Sequence, residues 1–189
     1  MLTDLTVLVT ASQLEKIAGS GRIPSIGHLG THFDVMDKRF PLDFVRRQSV
    51  VFDVRNLFDR EIETSDIDLE QVGAGMFVLF CTGFVESFEY GSREYFHLHP
   101  QLSYELIESL LKRQVSMIGI DFAGIRRGAE HTPADQHCPD HGVFIVENLC
   151  NLVLLLKNAN SKMCIVHTYP VNFAGWSGLP CRVVAETDD

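Results

Sequence analysis

Residues 28–34 read "HLGTHFD", inside the longer stretch "IGHLGTHFDVMDKRF" that runs from Ile26 to Phe40. Two histidines and an aspartate stand close together around Gly30. If the segment is extended, side chains alternate. His28, Gly30, His32 and Asp34 then share one face, and Leu29, Thr31, Phe33 and Val35 take the other. The second set suits a core; the first is a row of metal-ligating groups. Gly30 leaves room for an ion or a substrate to approach the backbone. A helix would also bring His28 and His32 to one face, but Gly and Thr are poor helix formers there. Two imidazoles and a carboxylate suit Zn²⁺, Mn²⁺ or Fe²⁺ and leave coordination positions open for water. Spacing alone leaves a second reading standing, a polar turn with surface or capping histidines.

A second acidic and histidine-rich stretch, "RRGAEHTPADQHCPDHGVFIVENL", covers 126–149. It closes with Glu147 after Val, Phe and Ile, where an acid is costly unless it is paired or metal-bound. The other reading makes "VEN" the start of a solvated loop. "EHTPADQ" reads as a loop entering a helix, with Thr132 as N-cap and Pro133 in its first turn.

Around these stretches the chain reads as a mixed α/β protein. Strand-like runs fall at 5–9, 49–54, 76–82, 115–121, 142–148, 163–169 and 180–186, rich in Val, Ile and Phe and bounded by turn residues. The clearest helix is 103–113, where Leu106, Ile107, Leu110 and Leu111 form a stripe and Ser103 is the N-cap. A second helix is expected from Pro133 to His141, and a third from near Asn148. The 189 residues suit one domain, 1–189, with no repeat or linker. A net charge of -9 argues against nucleic-acid or anionic-membrane partners. The apolar run "NLCNLVLLL" is too short to span a bilayer, and "MLTDLTVLVT" lacks the features of a signal peptide. Five cysteines without a CxxC pair suit reduced thiols, with Cys81 and Cys164 as core residues, in a cytoplasmic protein.

"HLGTHFD" resembles the start of the HxGTHxDxPxH motif of the cyclase family, which includes bacterial kynurenine formamidase and isatin hydrolase. The resemblance continues in the same order through "DLTVLVT" (4–10), the central "TGFVESFEYGSREYFHLHPQLSYELIESLLKRQVSMIGIDFAGI", "GVFIVENLCNL" and "LPCRVVAE". It implies a swivelling β/β/α fold and homo-oligomers, a homodimer or homotetramer. It also implies one or two divalent ions, Zn²⁺ or Mn²⁺, that activate water to hydrolyse a small amide or cyclic amide. His28, His32 and Asp34 fall on the motif's first three ligands and Glu147 on the late glutamate ligand. The family's other late ligand, a histidine, corresponds to Asp135, with His137 and His131 nearby.

The motif's proline position holds Met36, and its last histidine, implicated in proton transfer in relatives, is Lys38. Lysine serves there only with a strongly depressed pKa. Lys38 and His131 are therefore the candidate catalytic residues. Asp135 as a carboxylate ligand hardens the site toward Mn²⁺ or Mg²⁺. Arg126 is a candidate for holding a substrate carboxylate, and Trp176, the only tryptophan, for lining the substrate cavity. His97 and His99 read as loop or interface residues. The expected function is an arylformamidase-like metal-dependent hydrolase. The alternatives are a family member that has lost catalysis and binds a metal or metabolite, and a metal-dependent lyase or dehydratase.

Overall fold

The computed structural model describes residues 1–19, 24–55, 57 and 59–188. Its strands are β1 (Leu2–Asp4), β2 (His32–Asp34), β3 (Arg46–Asp53), β4 (Phe77–Cys81), β5 (Met117–Ile120), β6 (Phe144–Glu147), β7 (Ser161–Pro170) and β8 (Gly178–Glu186). The helices are α1 (Ala11–Gly19), α2 (Pro24–Gly27), α3 (Phe84–Ser87), α4 (Arg93–Leu98), α5 (Tyr104–Lys112), α6 (His131–Asp140) and α7 (Leu152–Leu156). None is long and apolar enough to cross a membrane.

Strands β3, β4, β5 and β6 lie side by side and parallel, and their apolar composition follows from being covered on both faces. The antiparallel strands β2, β8 and β7 then lead from β6 back to β3, closing a seven-stranded barrel. β1 adds to β8 beyond the end of β2. Alternation along each strand sorts the apolar side chains into two layers. Phe33, Phe77, Leu79, Met117, Val146 and Val183 fill the barrel. Val78, Phe80, Ile118, Ile120 and Ile145 face outward, where α5 covers them with Leu106, Ile107, Leu110 and Leu111. Burying each such side chain is worth about 1.5–3 kcal/mol. Ser103 caps α5 by accepting from the Leu106 N–H at 3.1 Å.

Several expectations need correction. The strand expected at 5–9 lies at 2–4, because Leu5 already leaves β1 to fill the barrel. Helix α6 begins at His131 and its N-cap is Glu130, not Thr132. The helix expected near Asn148 starts only at Leu152, since Asn148 and Asn151 both take positive φ. Residues 28–34 are extended only from His32 onward. Gly30 sits at φ 71°, and a Cβ there would lie 2.6 Å from Val9. The glycine makes a close turn against the chain's own first segment and opens no approach for a ligand.

Candidate metal centre

Phe33 turns into the barrel, so its neighbours His32 and Asp34 turn outward, toward the helix layer. The register sets His32 opposite Glu147 on β6 and Asp34 opposite Gly178 on β8. Val146 likewise points inward, which turns Glu147 to the same outer side. Asp135 arrives from α6, which packs against β6. His28 reaches the same place from the turn after α2. His32, Asp34, Asp135 and Glu147 are all buried.

Both histidines are fixed by the nitrogen that faces away. His32 Nδ1 lies 2.9 Å from the Gly30 carbonyl, so it carries the proton and leaves Nε2 bare. His28 Nε2 lies 2.9 Å from Ser177 Oγ, which frees Nδ1. Such an anchored second nitrogen is how metal-ligating imidazoles are usually held. The two free nitrogens stand 3.2 Å apart, at 3.2 and 3.4 Å from Asp34 Oδ1. Ligands at about 2.1 Å from one ion lie about 3.0–3.4 Å from each other in octahedral or tetrahedral arrangement. His32 Nε2 is also 3.5 Å from Glu147 Oε2, and His131 Nε2 is 3.1 Å from Asp135 Oδ2. His131, Asp135 and Glu147 form a second convergent group beside the first.

The electrostatics are those of a cation site. Among the described residues, Asp34 Oδ1, Asp135 Oδ1 and Glu147 Oε1 are buried without a hydrogen-bond donor. Burial, and then the charges of Asp34 and Asp135, lift the Glu147 carboxyl well above its ordinary value. Burial and Asp34 raise Asp135 to about 9. Burial opposes ionisation of Asp34 too, but His32 and His28 outweigh it and hold this carboxyl low. For His32, burial disfavours the proton, and Asp34 with the Gly30 carbonyl more than offsets this. Three buried carboxylates converge on two imidazoles, a mixed nitrogen and oxygen donor set that fits a divalent cation.

Residues 3–126 match the Cyclase family. This chain belongs to that family. His28, His32 and Asp34 lie inside the matched span; Asp135 and Glu147 lie beyond it. No curated protein sequence matches significantly. Among solved structures, a "potential metal-dependent hydrolase with cyclase activity" is 22% identical with a TM-score of 0.72, covering 98% of this chain and 96% of that one. A "predicted metal-dependent hydrolase" from Bacillus stearothermophilus is 21% identical with a TM-score of 0.71, covering 98% and 97%. Isatin hydrolase A from Labrenzia aggregata, bound to benzyl benzoate, is 20% identical with a TM-score of 0.69, covering 84% and 73%. These likenesses establish the fold.

The remaining candidates of this cyclase-family chain separate. His131 lies in the second group, with Nδ1 at 3.2 Å from the Arg126 carbonyl. His137 does not face Asp34; it pairs with Glu108 at 2.8 Å. Lys38 is not brought to the ligands. Its ammonium is held by Asp140 at 2.7 Å and Asp37 at 2.9 Å, and these bonds raise its pKa, the wrong direction for a proton acceptor. Arg126 is buried and committed to Glu61, Glu130 and the Leu102 carbonyl, so its fork is not free for a substrate. Trp176 lies against Phe173, ring centroids 4.5 Å apart, and borders, with Lys38, a separate groove of about 1070 Å³.

The cleft over the ligands measures about 320 Å³ and is bordered by His28, His32 and Glu147 on one side, and by Phe96, His99, Arg127 and His131 among others. His99, read from sequence as a loop or interface residue, and Arg127, read together with Arg126 as a carboxylate-binding pair, both border the cleft. "HLHP" offered the only signal for His99, and the "RR" pair left Arg126 and Arg127 indistinguishable until burial separated them. Ser177 and Asn148 were missed because their roles are long-range. Asn148 donates to the Gly30 carbonyl at 3.0 Å and accepts from the Tyr95 hydroxyl at 2.9 Å, bracing the turn between the histidines.

Proposed function

We propose that this protein is a metal-dependent hydrolase of a small amide or cyclic amide, arylformamidase-like in its chemistry. One observation carries the reading: the ring nitrogens of His28 and His32 converge with carboxylate oxygens of Asp34 and Glu147 beside a cleft of small-ligand size that His28, His32 and Glu147 line. His28, His32, Asp34 and Glu147 would hold the ion, with Asp135 and His131 completing or extending the set. Zn²⁺ and Mn²⁺ both suit such donors. A divalent ion bound there supplies Lewis acidity, polarising a scissile carbonyl and acidifying water. The chain's own groups do the rest. Phe96 and Ala123 line the cleft and limit water. With a single ion held by His28, His32, Asp34 and Glu147, His131 stays free of metal, and, half-exposed with Nε2 toward Asp135, it is placed to pass a proton between solvent and the cleft. The isatin hydrolase likeness supports a cyclic amide as substrate, and we assign the homo-oligomeric state of the family, a dimer or tetramer.

One observation favours the reading in which the ion is bound without turnover: Lys38, at the family's proton-transfer position, is locked in surface ion pairs. Metal content of the purified protein, followed by hydrolysis assays on N-formylkynurenine, isatin and aryl formamides with Zn²⁺ or Mn²⁺, separates the two. The expected result is stoichiometric metal and measurable hydrolysis, both lost in His32→Ala, with Lys38→Ala within about twofold of wild type. Metal without hydrolysis of any of these points to the binding role. Absence of metal uptake overturns both.

A further inference from the structure

Four histidines border the cleft: His28, His32, His99 and His131. Three have one nitrogen anchored by a carbonyl or Ser177 and the other turned toward the candidate ligand cluster. His99 differs. Its Nδ1 lies 2.8 Å from the Pro100 carbonyl, so that nitrogen carries the proton. Its Nε2 has no hydrogen-bond partner among the described residues, yet the residue is only 2% exposed. The ring cannot turn to find one. It is stacked on Phe122, centroids 5.3 Å apart and 18° from parallel, with Phe84 edge-on at 6.5 Å. Burial lowers its pKa to about 4, with Arg127 and His131 among the charges acting the same way, so the imidazole is neutral at working pH. The Nδ1 edge faces Pro100, which borders a second hollow next to the cleft. His99 lines both that hollow and the cleft, and Nε2 is its one unpaired polar ring atom.

We infer that His99 is a specificity-determining residue whose Nε2 accepts a hydrogen bond from the substrate, so that the cleft selects amides and lactams bearing a proton on nitrogen. This rests on the hydrolase reading for the identity of the substrate, though not for the contact. A fixed, neutral imidazole whose Nδ1 proton is already committed to a carbonyl offers a ligand only the Nε2 lone pair, an acceptor. A ligand offering N–H satisfies it, whereas one offering CH₂ leaves it desolvated and unpaired, which is the more costly outcome. The carbonyl of such a ligand would turn to the ion side, its N–H to His99.

The test compares binding of indolin-2-one with that of 2-indanone, which replaces the N–H by CH₂ in the same frame, to the metal-loaded protein by calorimetry. Wild type is expected to prefer the lactam by at least tenfold. His99→Phe, which keeps the stacking, should cut that preference at least fivefold. His99→Gln, which restores an acceptor, should recover part of it. Metal content of each variant is measured alongside, and unchanged content shows that the ligand cluster is intact. An unchanged preference in His99→Phe overturns the inference, as does wild-type protein that binds neither compound. If the preference is seen while no amide is hydrolysed, the hydrolase reading fails and the role of His99 stands.

Discussion

Gly124 shows how a single missing methyl group can build a metal centre. It sits at φ 94°, and a Cβ there would lie 2.1 Å from His131 Nδ1 and 2.9 Å from the Arg126 carbonyl. The imidazole ring occupies the space that a side chain at position 124 would take. Gly124→Ala is therefore expected to push His131 away from Asp135 and weaken metal binding about 10–100-fold, read by calorimetric titration. An unchanged affinity would show that His131 holds no metal. None of this was visible in "DFAGIRRGAEH". Nothing local marks this glycine, because the ring that needs its space comes from the start of α6. His32 and Asp34 were legible for the opposite reason: their alternation with Phe33 is local and survives folding unchanged. His28 does lie beside His32 and Asp34, but not along a strand: the positive φ of Gly30 breaks the extended run and a turn delivers the ring instead.

At the scale of elements, the parallel strands and α5 follow from local pattern. Continuous apolar runs become strands covered on both faces, and the stripe of α5 is fully buried. The short helices α2, α3 and α4 were not foreseen, because fewer than two turns leave no periodicity to read. The joint between β4 and α3 carries a prediction. Asp121, just past β5, accepts from the Thr82 and Gly83 N–H groups at 2.9 and 2.8 Å, and from the Thr82 hydroxyl. Burial lifts its carboxyl to about 7, against about 3.9 when unfolded. The folded state therefore binds the proton more tightly. This group's stabilisation is full below about pH 4 and is lost as pH rises through 7. Asp121→Asn keeps one acceptor for the two N–H groups and cannot ionise. Thermal melts from pH 4 to 8 should show a smaller decline in stability for the variant than for wild type; parallel curves would refute the assignment.

For the whole molecule, barrel closure was beyond sequence pattern. It depends on β8 pairing with its neighbour β7 on one side and, between the two ends of the chain, with β2 on the other. The cluster depends on the same closure, since Asp34 lies opposite Gly178. A Cβ at 178 would press on the His28 ring at 2.8 Å. Metal binding should accordingly stabilise the global fold. Saturation at about 100 times Kd is worth about 2.7 kcal/mol, or roughly 5–10 °C in melting temperature for a chain of this size, reversed by a chelator. A melting temperature indifferent to metal and chelator would mean that no ion binds the folded state.

The ligand set also has a history in time. His28, His32 and Asp34 are neighbours in sequence, whereas Glu147 is delivered only when β6 docks beside β2. An unfolded chain offers an ion three loosely held groups; the fourth comes with native topology. The ion should therefore act as a latch rather than a nucleus. It should leave the folding rate nearly unchanged and slow unfolding by most of the factor it adds to stability.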